Sequence, residues 1–143
     1  GPKEDGTILP EEVERLEGLG AWISGNEEAI YPTRAGLPRG HYYGPSTLAR
    51  DKRTIYLFQF GEPTMPIPLK GLRSKVERAT VLKTGKELSY RTIGGAPWMN
   101  IPGVLWIDLA KEDCQPVATV IKLELADAVD LYREEGQAIT DNR

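Results

Sequence analysis

The chain has 143 residues, of which 40% are hydrophobic and 27% charged, and its formal net charge is −3. This length suits one domain, or one small domain with the fringe of another, and the composition excludes a disordered or fibrous protein. No apolar run is long enough to cross a membrane, so no membrane partner is expected. Residues 1–30 are mostly acidic and polar, unlike a signal peptide.

The charges are distributed unevenly along the chain. Residues 31–91 carry 12 basic and 4 acidic side chains, whereas residues 1–30 carry 2 and 8, and residues 92–143 carry 4 and 9. A basic middle segment can indicate a polyanion partner. Its basic residues are nevertheless scattered, and no recognisable nucleic-acid motif accompanies them. We therefore expect a solvated face, or one paired with the acidic ends, and no nucleic-acid partner.

The first predicted element is an amphipathic helix from Pro10 to Ile23. Proline suits the first helical turn, where its missing N–H costs nothing. Val13 and Leu16 share an apolar side with Ile23, and Trp22 widens it. This side requires a partner surface, and we expect Leu16 and Ile23 to hold the helix against it.

Glycines divide this helix and end it. Gly18 and Gly20 each cost about 1 kcal/mol relative to alanine inside a helix. They indicate either close packing against another surface or a locally strained helix. The pair Gly25-Asn26 is typical of the left-handed residue that ends a helix.

The pattern becomes extended from Thr54 onwards. The run Thr54–Phe60 is rich in β-branched and aromatic residues and predicts a strand. Three prolines restrict residues 63–71 to at most a short edge strand. Glycine-containing turns are predicted at 84–86, as the turn of a hairpin, and at 94–95. Further strands are predicted over 76–83, 87–92, 104–109 and 117–125.

Six or seven short strands separated by turns predict a mostly β chain, an antiparallel β-sandwich preceded by the one amphipathic helix. The predicted division is residues 1–30 for a turn and the helix, 31–125 for the sandwich and 126–143 for a polar tail. Within the tail, Ala128, Val129, Leu131 and Tyr132 could form one or two helical turns.

Two side chains are candidates for catalysis or metal binding, Cys114 and His41. Cys114 is the only cysteine and His41 the only histidine, so an intrachain disulfide and a cysteine-based metal site are excluded. A single histidine without clustered carboxylates lacks plausible ligand spacing, so neither a metal nor another cofactor is expected. We interpret Cys114 as a structural or incidental thiol.

Aromatic residues suggest two kinds of surface. Trp98, Trp106 and Tyr90 lie in strand-like sequence and could stack on sugars, although Trp106 lies in an apolar run that favours core packing. The pair Tyr42-Tyr43, beside His41, could instead form a protein contact.

Several segments together resemble one enzyme family. The opening Asp5-Gly6-Thr7-Ile8, the helix that follows, and Asn26–Tyr31 with Thr33-Arg34 resemble the place where the catalytic barrel of an α-L-fucosidase of glycoside hydrolase family 29 ends and its C-terminal β-domain begins. Residues 75–88 and 117–125 resemble later strands of that domain. The likeness covers about residues 1–125, with Leu9 as an extra residue and Glu27 where glycine is usual.

The resemblance implies that residues 1–30 end the barrel, with the helix as its last one. The parent would be a retaining exo-α-L-fucosidase that acts on fucosylated glycans and is periplasmic, secreted or lysosomal. Hydrolysis that retains the configuration at the sugar's anomeric carbon needs two carboxylates about 5–5.5 Å apart. In the family both lie in the barrel, so no catalytic residue is assigned here, and no substrate-binding residue is identified. The expected partner is the catalytic barrel of the same enzyme.

The acidic residues of the predicted helix are poor candidates for catalytic groups. Glu11, Glu12, Glu14 and Glu17 have the spacing of a solvent-facing side, and we interpret them as solvated. Lys3 and Asp5 would follow a barrel strand and could approach the active-site face. The expected role of the chain is non-catalytic support, with a carbohydrate-binding module or a protein-interaction β-domain as alternatives.

Overall fold

The computed structural model describes residues 18–133. Helix α1, described over residues 18–23, ends before Gly25, whose φ of +87° is the predicted left-handed stop. A 3₁₀ turn at Glu27–Ala29 leads into eight strands. The strands are β1 (Thr33–Ala35), β2 (Ser46–Ala49), β3 (Thr54–Phe60), β4 (Ile67–Lys70), β5 (Val76–Val81), β6 (Tyr90–Ile93), β7 (Val104–Ile107) and β8 (Ala118–Leu125), with further 3₁₀ turns at Pro97–Met99 and Lys111–Asp113.

The strands form two antiparallel sheets. One has five strands in the order β1-β2-β3-β8-β5, and the other has three in the order β4-β7-β6. The long strands β3 and β8 pair over their full facing lengths, from Thr54 opposite Glu124 to Phe60 opposite Ala118. The expected mostly β, antiparallel fold preceded by a helix is confirmed.

One core lies between the sheets. Because side chains alternate along a strand, every second residue of β3 and β8 faces inward. Burying each large aliphatic side chain there stabilises the fold by about 1.5–3 kcal/mol. The fully or nearly buried residues of this core include Ile55, Leu57, Ile121 and Leu123 from the five-stranded sheet and Ile67, Leu69, Leu105 and Ile107 from the three-stranded sheet.

The opposite face of the five-stranded sheet carries a second, smaller cluster. Tyr56 and Val120 are buried there together with Ala29 of the 3₁₀ turn, and Phe58 and Trp22 pack against them. This outer face is therefore the surface on which the end of α1 lies.

Most strands predicted from the sequence are confirmed. Thr54–Phe60 is strand β3, and the proline-rich segment yields only β4, at an edge of the three-stranded sheet. The runs at 104–109 and 117–125 contain β7 and β8. Strands β1 and β2 were not predicted, because their three and four residues are too few to show a periodicity.

The predicted hairpin around Thr84-Gly85-Lys86 is present but short: the Val81 N–H donates to the Lys86 carbonyl at 2.9 Å, and the Leu88 N–H donates to the Ala79 carbonyl at 2.8 Å. The residues do form a turn, but β5 belongs to the five-stranded sheet and β6 to the three-stranded one. A single bridge between Thr80 and Glu87 joins the two sides. Leu88 is buried in the core just after the turn. Beyond this residue the chain passes from the five-stranded sheet to the three-stranded one.

One other expectation needs correction. Trp98 does not lie in a strand, since residues 97–99 form a 3₁₀ turn at the tip of the β6–β7 hairpin. The turn at Gly94-Gly95 is confirmed, with φ values of +83° and +92°.

The two glycines of α1 make no close contact with the described residues. A Cβ at Gly18 or Gly20 would have open space around it there. Their packing against another surface stays a prediction.

Residues 126–128 form a bend and residues 129–133 an irregular segment with a bridge at Leu131, so the helical turns expected for this part of the tail are absent there. The Leu131–Leu72 bridge and the hydrogen bond from the Tyr132 N–H to the Gly71 carbonyl hold the segment against the domain. Val129 and Leu131 pack against the main core.

Candidate functional site

The end of α1 is attached to the five-stranded sheet mainly through Trp22. Its indole Nε1 donates a hydrogen bond of 2.6 Å to the Ala118 carbonyl, and its ring lies 6.1 Å from the Phe58 ring, tilted by 42°. The sequence assigned this attachment to Leu16 and Ile23. Ile23 is only partly buried, and Leu16 lies outside the described residues. Trp22 is thus the anchor that the structure identifies.

A polar network reinforces the same contact. The Tyr56 hydroxyl donates to a Glu28 carboxylate oxygen at 2.8 Å, and the Lys122 ammonium lies 2.9 Å from that oxygen. Burial alone would raise the pKa of Glu28, but the hydrogen bonds from Lys122 and Tyr56 outweigh it and lower the pKa. Burial, followed by the Glu28 carboxylate, raises the pKa of Tyr56. Glu28 is therefore a charged bridge between the 3₁₀ turn and the sheet.

His41 has a structural position. Its ring is buried, and Nδ1 lies 2.8 Å from the Lys70 carbonyl oxygen. Because a carbonyl only accepts hydrogen bonds, Nδ1 carries the proton. The Lys70 N–H in turn donates to the His41 carbonyl at 2.8 Å. These bonds fix the loop before β2 to the end of β4.

The neighbouring tyrosines have different environments. The Tyr42 hydroxyl donates to the Phe58 carbonyl at 2.8 Å, and burial raises its pKa to about 12. Tyr43, the next residue, is 97% exposed. Tyr42 therefore packs into the fold, whereas Tyr43 is available for contact with another molecule or domain.

Cys114 does not have the environment of a nucleophile. The thiol is partly buried and contacts the Ala110 carbonyl oxygen at 3.5 Å. Burial, followed by the charge of Glu62, raises its pKa. The reactive thiolate is therefore a minor species at neutral pH.

The three aromatic candidates for sugar binding do not share one surface. Tyr90 packs against the core, and its hydroxyl donates to the Val76 carbonyl at 3.0 Å. Trp106 lies between Leu105 and Ile107, which are both buried in the core. Because side chains alternate along a strand, the Trp106 side chain is on the outer face of the three-stranded sheet. The prediction that Trp106 packs in the core is therefore wrong. Trp98, 82% exposed, is at the hairpin tip.

A groove of about 560 Å³ lies where β3 ends and the proline-rich loop begins. Exposed apolar side chains line it: Tyr43, Phe60 at 57% exposure and Met65 at 60%. Gln59 and Glu62 supply polar groups, and Phe58 forms part of the wall. We call this feature the Phe60 groove. No local sequence pattern predicts this groove, because segments separated along the chain build it.

Basic residues of the middle segment pair with acidic residues that follow it. Arg73 contacts Asp130 at 2.9 Å, and Arg91 contacts Asp108 at 3.0 Å. Lys86 lies 3.3 Å from Asp113. The expected pairing of the basic segment with an acidic end is thus confirmed for these residues.

The remaining candidates give no further site. Within residues 18–133 no three His, Cys, Asp or Glu side chains are grouped so that they could hold a metal ion. No helix in this range is long and apolar enough to cross a membrane. Lys3, Asp5, Glu11, Glu12, Glu14 and Glu17 lie outside the described residues.

Comparison with known proteins identifies one group of enzymes. No protein-family model and no curated protein sequence matches the chain. Among solved structures, α-L-fucosidase isoenzyme 1 from Paenibacillus thiaminolyticus matches with a TM-score of 0.68 and 27% identity, over 89% of this chain and 30% of that enzyme. The α-fucosidase of Thermotoga maritima in complex with a mechanism-based inhibitor matches with a TM-score of 0.62 and 26% identity, over 87% of this chain and 29% of that one.

A family 29 α-L-fucosidase from Bacteroides thetaiotaomicron, trapped as a covalent intermediate, has the same fold, with a TM-score of 0.68 and 23% identity over 87% of this chain and 27% of that enzyme. The chain thus spans less than a third of the length of these solved fucosidases. The resemblance found in the sequence is confirmed: this is a fucosidase-related β-domain, similar to the C-terminal portion of the α-L-fucosidases of glycoside hydrolase family 29.

Proposed function

We propose that this chain is the non-catalytic C-terminal support domain of a retaining exo-α-L-fucosidase that removes terminal α-L-fucose from glycans. The observation that carries the proposal is the match of nearly the whole chain to less than a third of solved fucosidases. In this proposal residues 1–30 end the catalytic barrel, 31–125 form the supporting β-domain and 126–143 form its C-terminal tail. The partner is the barrel of the same enzyme, and the fucosylated glycan is the substrate of the parent.

The contacts of the described residues favour support over chemistry. Glu28, Asp108 and Asp130 are each paired with a cation, and Cys114 is held as a thiol. A retaining glycosidase instead needs one carboxylate as nucleophile and another as acid and base. Trp22 meanwhile attaches the end of α1 to the sheet, and Glu28 attaches the 3₁₀ turn that follows it, as a domain joined to a barrel helix requires.

Hydrolysis of 4-nitrophenyl α-L-fucoside tests the proposal. We expect hydrolysis by the full-length parent enzyme and none by the 143-residue chain alone. Hydrolysis by the chain alone would contradict the non-catalytic role, and a full-length protein without fucosidase activity would contradict the parent activity.

Sugar binding is the second candidate, because Trp98 is a large and exposed aromatic side chain. Titration of the chain with a fucosylated oligosaccharide, followed by tryptophan fluorescence and calorimetry, distinguishes the two. A support domain shows no saturable binding. Saturable binding that is lost in Trp98→Ala and kept in Trp22→Phe would favour the carbohydrate-binding module.

A further inference from the structure

We propose that the Phe60 groove is the surface on which the catalytic barrel of the parent enzyme docks. This inference rests on the proposed function, since it takes α1 as the last helix of that barrel. The groove places three exposed apolar side chains together, those of Tyr43, Phe60 and Met65. Contiguous exposed apolar surface of this kind is typical of an interaction site.

The groove is continuous with the contact that α1 already makes. Side chains of Tyr56, Phe58 and Phe60 lie on the same face of β3, because alternate residues of a strand point the same way. Trp22 contacts Phe58, and Phe58 is also part of the groove wall. Trp22 also donates to the carbonyl of Ala118, the residue paired with Phe60. Phe60 is therefore the next outward-facing position beyond the covered part of the sheet.

The proposed function and the position of α1 on the same face favour the barrel as the occupant. Two residues along a strand correspond to about 7 Å, so Phe60 lies roughly that far beyond Phe58. Neighbouring helices pack with axes about 8–10 Å apart. In the proposal α1 belongs to the outer ring of a barrel, and the spacing of that ring would allow a neighbouring barrel element to reach Phe60. The solvent-facing side chains of the groove would then be buried in the parent.

The two methionines of the chain provide a matched probe. Met65 lines the groove and is 60% exposed, whereas Met99 is at the β6–β7 tip, outside the groove lining, and is 63% exposed. Hydrogen peroxide converts exposed methionine to its sulfoxide, with loss of water from the peroxide. Peptide mass spectrometry measures the two rates separately, because trypsin cuts at Arg53 and Lys70 around Met65 and at Arg91 and Lys111 around Met99.

In the isolated chain we expect Met65 and Met99 to oxidise at similar rates. In the parent enzyme the ratio of the Met65 rate to the Met99 rate should fall several-fold. An unchanged ratio, or a fall in the Met99 rate alone, would overturn the docking surface. If the parent is an active fucosidase with an unprotected Met65, only this inference fails. If the polypeptide contains no barrel, or has no fucosidase activity, the proposed function itself fails.

Two controls separate the other possible occupants. Fucosylated oligosaccharide added to the isolated chain should leave the Met65 rate unchanged, and protection would assign the groove to glycan. Dilution of the isolated chain should also leave it unchanged, and protection that grows with concentration would assign the groove to a second copy. Either kind of protection would overturn the proposal.

A pair of substitutions gives an independent readout. Phe60→Ser removes a groove side chain, and Ile93→Ser removes an apolar side chain of similar exposure, 54% against 57%, that ends a strand of the other sheet. Neither should change the thermal midpoint of the isolated chain. In the parent, Phe60→Ser should lower the midpoint and Ile93→Ser should not. Equal effects of both variants in the parent would overturn the proposal.

Discussion

Gly71 has a φ of +74°, which residues with a side chain rarely adopt, and it lies against the His41 ring. A Cβ built at this position would be 2.8 Å from Nδ1 of that ring. His41 cannot move away easily, because it is buried and hydrogen-bonded to Lys70. Backbone conformation and ring position therefore both require glycine at position 71.

Gly71→Ala is expected to destabilise the chain more than Gly85→Ala. Gly85 has nearly the same φ, +76°, but open space around it, so alanine there meets only the backbone penalty of about 1–2 kcal/mol. Crowding against His41 should add about 1–3 kcal/mol at position 71. Urea unfolding of both variants measures the difference. Equal free energies of unfolding would show that the ring yields without cost.

Cys114 is expected to react slowly with iodoacetamide at pH 7. Because its pKa is raised, by burial first and by the Glu62 charge second, the thiolate fraction is smaller than that of free cysteine. The rate should rise as the pH is increased through the alkaline range. Mass spectrometry of the alkylated chain, with free cysteine as the control, measures it. A rate at pH 7 equal to that of free cysteine would contradict the assignment.

At the scale of elements, the attachment of α1 to the five-stranded sheet is the contact with most consequence for function. Trp22→Phe keeps an aromatic ring near Phe58 but loses the hydrogen bond to Ala118, so we expect a loss of about 1 kcal/mol of stability. Trp22→Ala also loses the ring and should cost more. Thermal unfolding followed by circular dichroism measures both. No loss in Trp22→Ala would mean that the helix is held elsewhere.

The Glu28 bridge should make the contact between the 3₁₀ turn and the same sheet sensitive to pH. The pKa of Glu28 in the folded chain is below its ordinary value of 4.5. The charged carboxylate therefore contributes its full share of folding stability above pH 4.5, and this share is lost as the pH falls through the lowered pKa. Because the carboxylate is about half exposed, the contribution is about 0.5 kcal/mol. Glu28→Gln should therefore reduce the unfolding free energy at pH 7 and have no effect near pH 2. A difference that persists at low pH would contradict the ionic contribution.

At the scale of the whole molecule, the two sheets share one core and should unfold together. Leu105 belongs to the three-stranded sheet and Leu123 to the five-stranded one, and both are almost fully buried. Leu105→Ala should cost about 2–5 kcal/mol and lower the midpoint of both sheets. Fluorescence of Trp106 reports on one sheet and that of Trp22 on the other, in variants that keep only one tryptophan. Separate midpoints would show that the sheets are independent.

Much of the fold could be predicted from local patterns. The β-branched and aromatic residues of β3 predicted that strand, and the alternation of apolar and polar residues from Ile121 to Leu125 predicted β8. The prolines around β4 predicted an edge strand, because proline has no backbone N–H to donate to a neighbouring strand. Strands β1 and β2 were missed because they are short and depend on pairing with β3.

The candidate site was less accessible to sequence analysis. Trp22 was recognised as part of an apolar helix side, but its partners Phe58 and Ala118 are distant in the chain. Trp106 was expected in the core because its neighbours are apolar, yet the period of two places it on the outer face. Tyr43, Phe60 and Met65 belong to three separate segments, so no local pattern could unite them.

The sequence by itself determined the fold class, the helix stop at Gly25, the long strands and the likeness to fucosidases, because each depends on residues close together in the chain. Only the tertiary structure decided which sheet each strand joins, which face receives Trp22, and that the Phe60 groove exists. These features depend on packing between distant segments, where burial of apolar side chains from both sheets in one core holds the sheets together and no local pattern records the contact.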